Sequence, residues 1–342
     1  MKYSLIIATY NRAAHLRDTL SSLAALRTAD SWEAIVVDNN STDETRAVVE
    51  EAAERFPVEL QYLFEPEQGK SAAMNTGIRA ARGDVLAFTD DDVRVEADWL
   101  DRAGEALDRH ECDFVGGKVL PIWGGARPAW LPNSGGQHWA VIALLDYGAE
   151  PMELVNRSPL GVNMAIRREA FARLGLWWDN RVGRQGNTLR GQETREWCMR
   201  ARAAGLKGFY TPDMIVHHIV PHDRLNKRYF RRWMYWNGIS RSILNAMSGM
   251  DIEGREQATH GQEEAPQIAG VPLYLFRRLM GRCVSSLKAR ARRDVVGAFE
   301  QEMRAWFYAG VIREQWKQRK KSQPIEMQAA SAARAGQQPK NF

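Results

Sequence analysis

Three consecutive aspartates, Asp90-Asp91-Asp92, follow the apolar run Val85–Phe88. A short apolar run of that kind fills a buried strand, so the carboxylates stand packed together at a strand's end. Their mutual repulsion disfavours folding unless something positive neutralises it. A hard divalent cation such as Mg²⁺ or Mn²⁺ does so through oxygen ligands, and often shares them with phosphate. An isolated acidic triplet is otherwise a solvated turn or a helix N-cap, and the residues leading up to this one decide between the readings.

Those residues alternate in type. Strands are expected at Tyr3–Ala8, Ala34–Val37, Leu60–Phe64 and Val85–Phe88, with helical patterns between them at Ala13–Leu26, Thr42–Arg55 and Ser71–Ala81. Asn11 is a candidate cap for the first helix, and Ser41 with Glu44 has capping-box spacing for the second. Strand–helix alternation with short connections predicts a parallel sheet with right-handed crossovers. Ligands bind in the crevice at the C-terminal edge of such a sheet. The segments leaving three of the strands, Thr9-Tyr10-Asn11-Arg12, Asp38-Asn39-Asn40-Ser41 and Thr89-Asp90-Asp91-Asp92, are all polar. Three polar loops on one edge predict a site.

Further along, a helix is expected at Ala97–Leu107 and a strand at Asp113–Leu120. Pro121–Pro159 is rich in Gly, Pro and Trp without a sustained period, which predicts a long functional loop. A strand at Leu160–Arg167, helices at Arg168–Leu174 and Glu193–Ala204, and short strands near Gly208–Tyr210 and Ile215–His218 complete a domain over residues 1–222. Residues 223–321 read as a basic, aromatic helical extension, with helices at Leu225–Met247, Pro272–Arg292 and Asp294–Gln318 and a linker at about 253–270. From Ser322 the Ala/Gln/Pro-rich end reads as a disordered tail.

The chain has 342 residues, enough for a large core, with 44% hydrophobic and 26% charged residues, ordinary values for a globular protein. Its apolar runs fall short of a membrane span, and Tyr3–Ala8 is too short for a signal-peptide core. Three scattered cysteines, in no metal-ligand spacing, predict a reducing compartment, and the chain reads as cytoplasmic. The net charge of +5 hides an asymmetry: residues 1–222 carry 25 Lys+Arg against 31 Asp+Glu, whereas 223–342 carry 22 against 11. The second part is built to face something anionic.

Four strings in order, Ser4-Leu-Ile-Ile-Ala-Thr-Tyr-Asn-Arg12, Val36-Val-Asp-Asn-Asn-Ser-Thr-Asp43, Gly69-Lys-Ser-Ala-Ala-Met-Asn-Thr-Gly77 and Thr89-Asp-Asp-Asp92, resemble the signatures of family-2 glycosyltransferases with the GT-A fold. The resemblance continues through Gly161-Val-Asn-Met-Ala-Ile-Arg167, Asp179-Asn-Arg-Val-Gly183 and Val216-His-His218, and covers roughly residues 2–222. It implies a Rossmann-like, mainly parallel α/β sheet flanked by helices, here with a C-terminal helical extension. It also implies inverting transfer from a nucleotide-diphosphate sugar to a hydroxyl of a glycan or lipid-linked acceptor in cell-envelope polysaccharide or glycolipid synthesis.

By that resemblance Thr9, Tyr10, Asn11, Arg12, Asp38 and Asn40 line the nucleoside site, with Lys70 and Asn75 near the base or phosphates. A carboxylate at Asp38 accepts hydrogens from uracil, thymine or guanine alike, so the base stays open. The similar enzymes use Asp-x-Asp: Asp90 approaches the ribose or sugar, Asp92 coordinates Mn²⁺ or Mg²⁺ across the two phosphates, and Asp91, between them, is counted with the nucleotide-sugar-binding residues. The metal acts as a Lewis acid on the diphosphate leaving group. A histidine contact is expected at His218 rather than His217, since strand alternation points the two opposite ways. Asn163 and Asp179 fall on the acceptor side, and Trp123, Trp130 and Trp139 are candidates for stacking on sugar faces.

Inversion needs a general base within hydrogen-bond reach of the acceptor hydroxyl. The similar enzymes use the aspartate of a Glu-Asp pair opening a late helix. Aligned on Glu196 and Arg200, this chain has Glu193 at the glutamate and Thr194 at the aspartate. The role then passes to Glu193, or to Glu196 one turn on. Two rivals remain: a nucleotidyltransferase that makes sugar nucleotides, and a non-catalytic sugar-nucleotide binder. For residues 223–321 an anionic membrane surface at the inner face of the cytoplasmic membrane is the favoured partner. A helical pair with a solvated basic face is the alternative, and no recognised nucleic-acid module is present.

Overall fold

The computed structural model describes residues 1–133, 135–176, 183–184, 188–248 and 266–335, and only the backbone of 136–137 and 320–335. The chain forms two compact units, Met1–Phe230 and Arg231–Phe342.

The first unit opens with β1 (Tyr3–Thr9), α1 (Ala13–Leu23), β2 (Trp32–Asp38), α2 (Thr45–Ala53), β3 (Leu60–Phe64), α3 (Lys70–Ala80) and β4 (Val85–Thr89). β5 (Val93–Val95), α4 (Trp99–Arg109), β6 (Phe114–Trp123), α5 (Gly136–Val141), β7 (Met152–Glu153) and β8 (Met164–Arg167) follow. α6 (Arg168–Leu174), α7 (Glu193–Ala203), β9 (Gly208–Val220) and a 3₁₀ turn at His222–Arg224 complete it. The sheet runs β3-β2-β1-β4-β8-β6-β9-β5, with β7 on β9. β1, β2, β3 and β4 are mutually parallel, as the alternating pattern predicts; β8 is antiparallel to both neighbours, and β5 and β7 are antiparallel to β9. β6 and β9 form a further parallel pair.

Apolar runs set this core. Ile6, Ile35, Leu86 and Phe88 from the strands pack with Ala73, Met74 and Ile78 of α3, and with Phe114 and Trp197. Phe114 meets Trp197 edge-on at 5.2 Å. One charge lies inside the sheet's rim. Glu33 of β2 accepts hydrogen bonds from Ser4 Oγ (2.6 Å) and from the Arg82 backbone N–H and Nε (2.7 Å each), which clamps the α3–β4 turn to β1 and β2.

The caps differ from expectation. Asn11 does not cap α1, and Ser41 and Glu44 form no capping box; neither helix has a side-chain cap at its N-cap position. Asp43 does both jobs instead, accepting from the Ala13 N–H at 3.0 Å and the Thr45 N–H at 3.1 Å. Asn11 and Ser41 are spent on each other's loops, because Ser41 Oγ accepts from the Asn11 N–H and Asn11 Oδ1 accepts from the Thr42 N–H.

The stretch expected to be one long loop is partly ordered: β6 extends through Trp123, and α5 and β7 lie within it. The two short strands expected late in the domain are a single β9 whose register against β6 shifts at Gly117/Lys118, a bulge that periodicity does not reveal.

The second unit begins within α8 (Lys227–Ser248), followed by the hairpin β10 (Gln267–Ile268) and β11 (Val271–Pro272), then α9 (Leu273–Ala291) and α10 (Val295–Ala335). α8 and α10 touch backbone to backbone: a Cβ at Gly238 would overlap the Phe307 carbonyl, and one at Gly310 the Tyr235 carbonyl. Val271, Leu275, Tyr308 and Val311 form the core between the hairpin, α9 and α10. α10 continues as helix to Ala335, past the expected tail boundary at Ser322, in keeping with the strong helix propensity of Ala and Gln. Most of the expected linker lies outside the described residues. Among the described residues no helix is long and apolar enough to cross a membrane.

Candidate functional site

The register brings the polar loops together. Thr9 pairs with Asp38 across β1 and β2, and Ile7 with Thr89 across β1 and β4, so the three strand ends share one edge. Asn11 (φ 51°) and Asn40 (φ 66°) both adopt left-handed backbone there, a conformation asparagine tolerates better than most residues. Asp38 is buried, and its carboxylate accepts from the Ser41 N–H and the Tyr62 hydroxyl, each at 2.9 Å. Two acceptor lone pairs remain on it. Tyr10 and Asn40 are exposed beside it.

The acidic triplet divides three ways. Asp90 pairs with Lys70 at the start of α3. Asp91 is buried, with one hydrogen bond on each carboxylate oxygen: Thr9 Oγ1 donates to it at 2.8 Å, as does Arg12 Nη1 at 2.8 Å. Thr9 and Asp91, expected to touch the nucleotide, thus spend their polar atoms on bracing β1 against the triplet and on aiming Arg12. Asp92, also buried, takes Arg12 Nη1 at 2.7 Å on one oxygen, with Arg224 Nη2 3.7 Å from the same oxygen. Its other oxygen, Oδ1, makes no hydrogen bond among the described residues and stands 3.4 Å from His218 Nε2.

The two adjacent carboxyls are pushed apart. Burial, the strongest influence on both, raises them; at Asp91 it prevails, helped by the charge of Asp92. At Asp92 the attraction of His218, Arg12 and Arg224 overcomes burial and holds the group well below the usual carboxylate range. The charges gathered around Asp92 thus favour its ionised form, the form in which a carboxylate binds a metal.

His218 reaches this point because β9 pairs with β5, placing it opposite Val93, directly after Asp92. His217 turns the other way and meets Glu96 at 2.8 Å near the surface. Among the described residues no three His, Cys, Asp or Glu side chains form a ready-made metal group. Asp92 Oδ1 and His218 Nε2 nevertheless fit a divalent ion at a phosphate site, which takes one or two protein ligands and leaves the rest to phosphate and water. Adjacent ligands on an ion with bonds of about 2.1 Å stand about 3 Å apart, close to the spacing of this pair.

On α7, Glu193 is buried, and its Oε2 has no hydrogen-bond partner among the described residues. Burial pushes its carboxyl up, and Lys70 partly opposes that. Glu196, the second base candidate, is tied to Arg200 through both oxygens, at 2.6 and 3.0 Å. Asn75 Oδ1 has no hydrogen-bond partner among the described residues. Asn163 does not join the site. It is fully buried, accepts from Trp99 Nε1 at 2.8 Å and donates to the Lys118 and Met214 carbonyls at 2.8 Å each, so its side chain knits β6, β8 and β9. Asp179 lies outside the described residues. Of the three tryptophans, Trp139 is buried and Trp130 packs edge-on against Phe230 at 4.9 Å, which makes both parts of the domain's own packing; Trp123 is half-buried at the end of β6. Arg224 was not expected. Its signal was present as the first arginine after the His217-His218 strand. A separate concavity of about 760 Å³, lined by Arg27, Asp30, Trp32 and Asp101, lies at the opposite, N-terminal end of β2 and contains none of these groups.

Comparison with known proteins agrees with this architecture. The sequence model of Glycosyl transferase family 2 matches residues 4–175. The chain is 28% identical over 317 residues to the succinoglycan biosynthesis protein ExoM of Rhizobium meliloti, covering 90% of each. It is 25% identical over 251 residues to the glucosyl-dolichyl phosphate glucuronosyltransferase of Haloferax volcanii, covering 72% of this chain and 78% of that one. The solved mannosyltransferase PcManGT from Pyrobaculum calidifontis, in complex with GDP-Man and Mn²⁺, shares the fold at a TM-score of 0.62 and 19% identity, over 92% of this chain and 87% of that one. The fold is of the GT-A type, and the chain is a glycosyltransferase belonging to family 2.

Proposed function

We propose that the enzyme transfers a sugar, with inversion, from a nucleoside-diphosphate donor to a hydroxyl of a glycan or lipid-linked acceptor, assisted by Mn²⁺ or Mg²⁺. The observation that carries the reading is the pairing of Asp92 Oδ1, unbonded among the described residues, with His218 Nε2, flanked by Arg12 and Arg224, on the edge that also ends in Asp38, with Glu193 at the start of α7 near enough to Lys70 and Asp90 to feel their charge. Cell-envelope polysaccharide or glycolipid synthesis is the setting suggested by relatives named for succinoglycan and for glucosyl-dolichyl phosphate. A lipid-linked acceptor would bring the enzyme to the inner face of the cytoplasmic membrane.

Asp38 receives a hydrogen of the nucleobase on its free lone pairs. Asp90, oriented by Lys70, faces the ribose or the sugar. Asp92 and His218 would hold the divalent ion, which would supply Lewis-acid neutralisation of the diphosphate. Arg12 and Arg224 add fixed positive charge where the departing β-phosphate oxygen gains its electron pair. Glu193 takes the proton of the acceptor hydroxyl as that oxygen attacks the anomeric carbon from the face opposite the diphosphate. Attack from that side inverts the centre, and the bond from the anomeric carbon to the phosphate oxygen breaks.

Thermal stabilisation by a panel of nucleoside diphosphates, with Mn²⁺ and with EDTA, tests the donor and metal parts, since a ligand binding only the native state raises its stability. NMR of the transferred product then tests inversion. Pyrophosphate release from a nucleoside triphosphate and a sugar phosphate would establish the nucleotidyltransferase reading instead. Nucleotide binding without turnover of any donor would favour a binder.

A further inference from the structure

We propose that the outward face of α9 is a docking surface for an anionic lipid membrane. The proposal deepens the lipid-linked acceptor reading, on which it rests for its purpose but not for its test.

The face is apolar where a solvated helix is polar. Met280, Val284 and Leu287 are 68%, 48% and 64% exposed, and their spacing puts them on one stripe. The opposite side of α9 is occupied: Leu275 is buried in the core with Tyr308 and Val311, and Ser286 Oγ donates to the Ala298 carbonyl of α10 at 2.8 Å. The stripe is thus not the helix's packing face turned out by a misplaced register; α9 has a packed side and a second apolar side.

Charge says what the second side meets. Residues 266–293 contain no aspartate or glutamate. At 3.6 residues per turn Arg277 and Lys288 border the stripe on one side, Arg290, paired with Glu302 at 2.8 Å, lies on the other, and Arg292 and Arg293 lie exposed at its end. Aliphatic side chains flanked by cations match the layering of an anionic bilayer, with apolar groups entering the acyl boundary and cations remaining among the headgroups. Nucleic acid would use the cations and leave the aliphatic stripe wet. A second copy of the same face would set arginine against arginine, which disfavours self-association. A helix of 19 residues lying flat in the interface spans about 28 Å, long enough for the whole stripe to engage at once.

The experiment is co-sedimentation of the full chain with vesicles of phosphatidylcholine alone or of phosphatidylcholine mixed with phosphatidylglycerol, at low and high salt. Binding is expected to the mixed vesicles only, and to weaken with salt. Both Met280→Ser/Leu287→Ser and Arg277→Glu/Lys288→Glu should weaken it by about tenfold or more. Neither pair belongs to the proposed donor site, so stabilisation by a nucleoside diphosphate stays unchanged, and an unchanged far-ultraviolet circular dichroism spectrum certifies that the helices of each variant are folded. Equal binding to both vesicle types, equal binding by the variants, or a dimer in light scattering that the serine pair dissolves would each overturn the proposal. Loss of vesicle binding with nucleotide stabilisation intact would leave the transfer reading standing. Absent nucleotide stabilisation with vesicle binding intact would do the reverse.

Discussion

Asp92 Oδ1 and His218 Nε2 face each other across 3.4 Å, both buried, at the point where β5 and β9 pair directly after the acidic triplet. A carboxylate and an imidazole so placed, with the carboxylate oxygen otherwise unbonded among the described residues, suit the proposed cation site, which a diphosphate would complete. Asp92→Ala should therefore abolish the Mn²⁺-dependent part of nucleoside-diphosphate stabilisation, a loss of about 2.7 kcal/mol at a ligand concentration a hundredfold above Kd. His218→Ala should reduce it. The measurement is a melting curve with Mn²⁺ and with EDTA, and undiminished Mn²⁺ dependence in Asp92→Ala would remove the metal assignment.

Glu193 and Glu196 lie one turn apart on α7, yet among the described residues Glu193 keeps an oxygen without a hydrogen-bond partner, whereas Arg200 occupies both oxygens of Glu196. Glu193→Gln should lower kcat by about 10²–10⁴-fold, the range for loss of a general base, while leaving nucleotide binding intact. The base must be ionised, and burial raises its pKa, so kcat/KM should rise with pH through a value above the ordinary glutamate value of about 4.3. The acid limb should disappear from the residual activity of Glu193→Gln. Glu196→Gln should retain that limb.

Much of this arrangement was legible before any coordinates. Continuous apolar runs at β1, β2 and β4, each ending in polar residues, sufficed to put Thr9, Asp38 and Asp90 on one edge, and strand alternation sufficed to separate His217 from His218. What was not legible depends on partners distant in sequence. Thr9 and Asp91 are 82 positions apart and satisfy each other, so residue type alone could not say that they brace the site. The same holds for Asn163, whose three hydrogen bonds come from three separate segments. The caps failed for a related reason: Asp43 serves both helices, which local spacing rules do not consider.

Arg224 leaves the sheet on the 3₁₀ turn after β9 and brings its Nη2 to 3.7 Å from Asp92. Its guanidinium also lies 5.9 Å from the Tyr229 ring centroid, which limits its freedom. Arg224→Ala should raise KM for the donor and lower kcat, because fixed charge near the leaving group is lost in the ground state and, to a greater extent, in the transition state, where charge builds on the departing phosphate. The folded state should lose little, since Asp92 keeps Arg12. Steady-state kinetics alongside a melting curve separates the two effects; an unchanged donor KM would place Arg224 outside the diphosphate site.

Glu33 gives a stability prediction independent of catalysis. Burial acts most strongly on its carboxyl and raises it, but the Ser4 hydroxyl, the Arg82 N–H and the Arg82 guanidinium together outweigh burial and hold it below its ordinary value. A carboxylate depressed in the folded state contributes stability that is fully present above its unfolded pKa of about 4.3 and is lost as pH falls through the lower folded value. Glu33→Gln replaces a charged acceptor with an amide at a site where backbone and guanidinium donors converge, and should cost about 1–3 kcal/mol at neutral pH. The gap between the two proteins in urea unfolding should be widest at neutral pH and should narrow steadily below pH of about 4. A gap that stayed constant across that range would mean that packing, rather than the charge at Glu33, secures the α3–β4 turn.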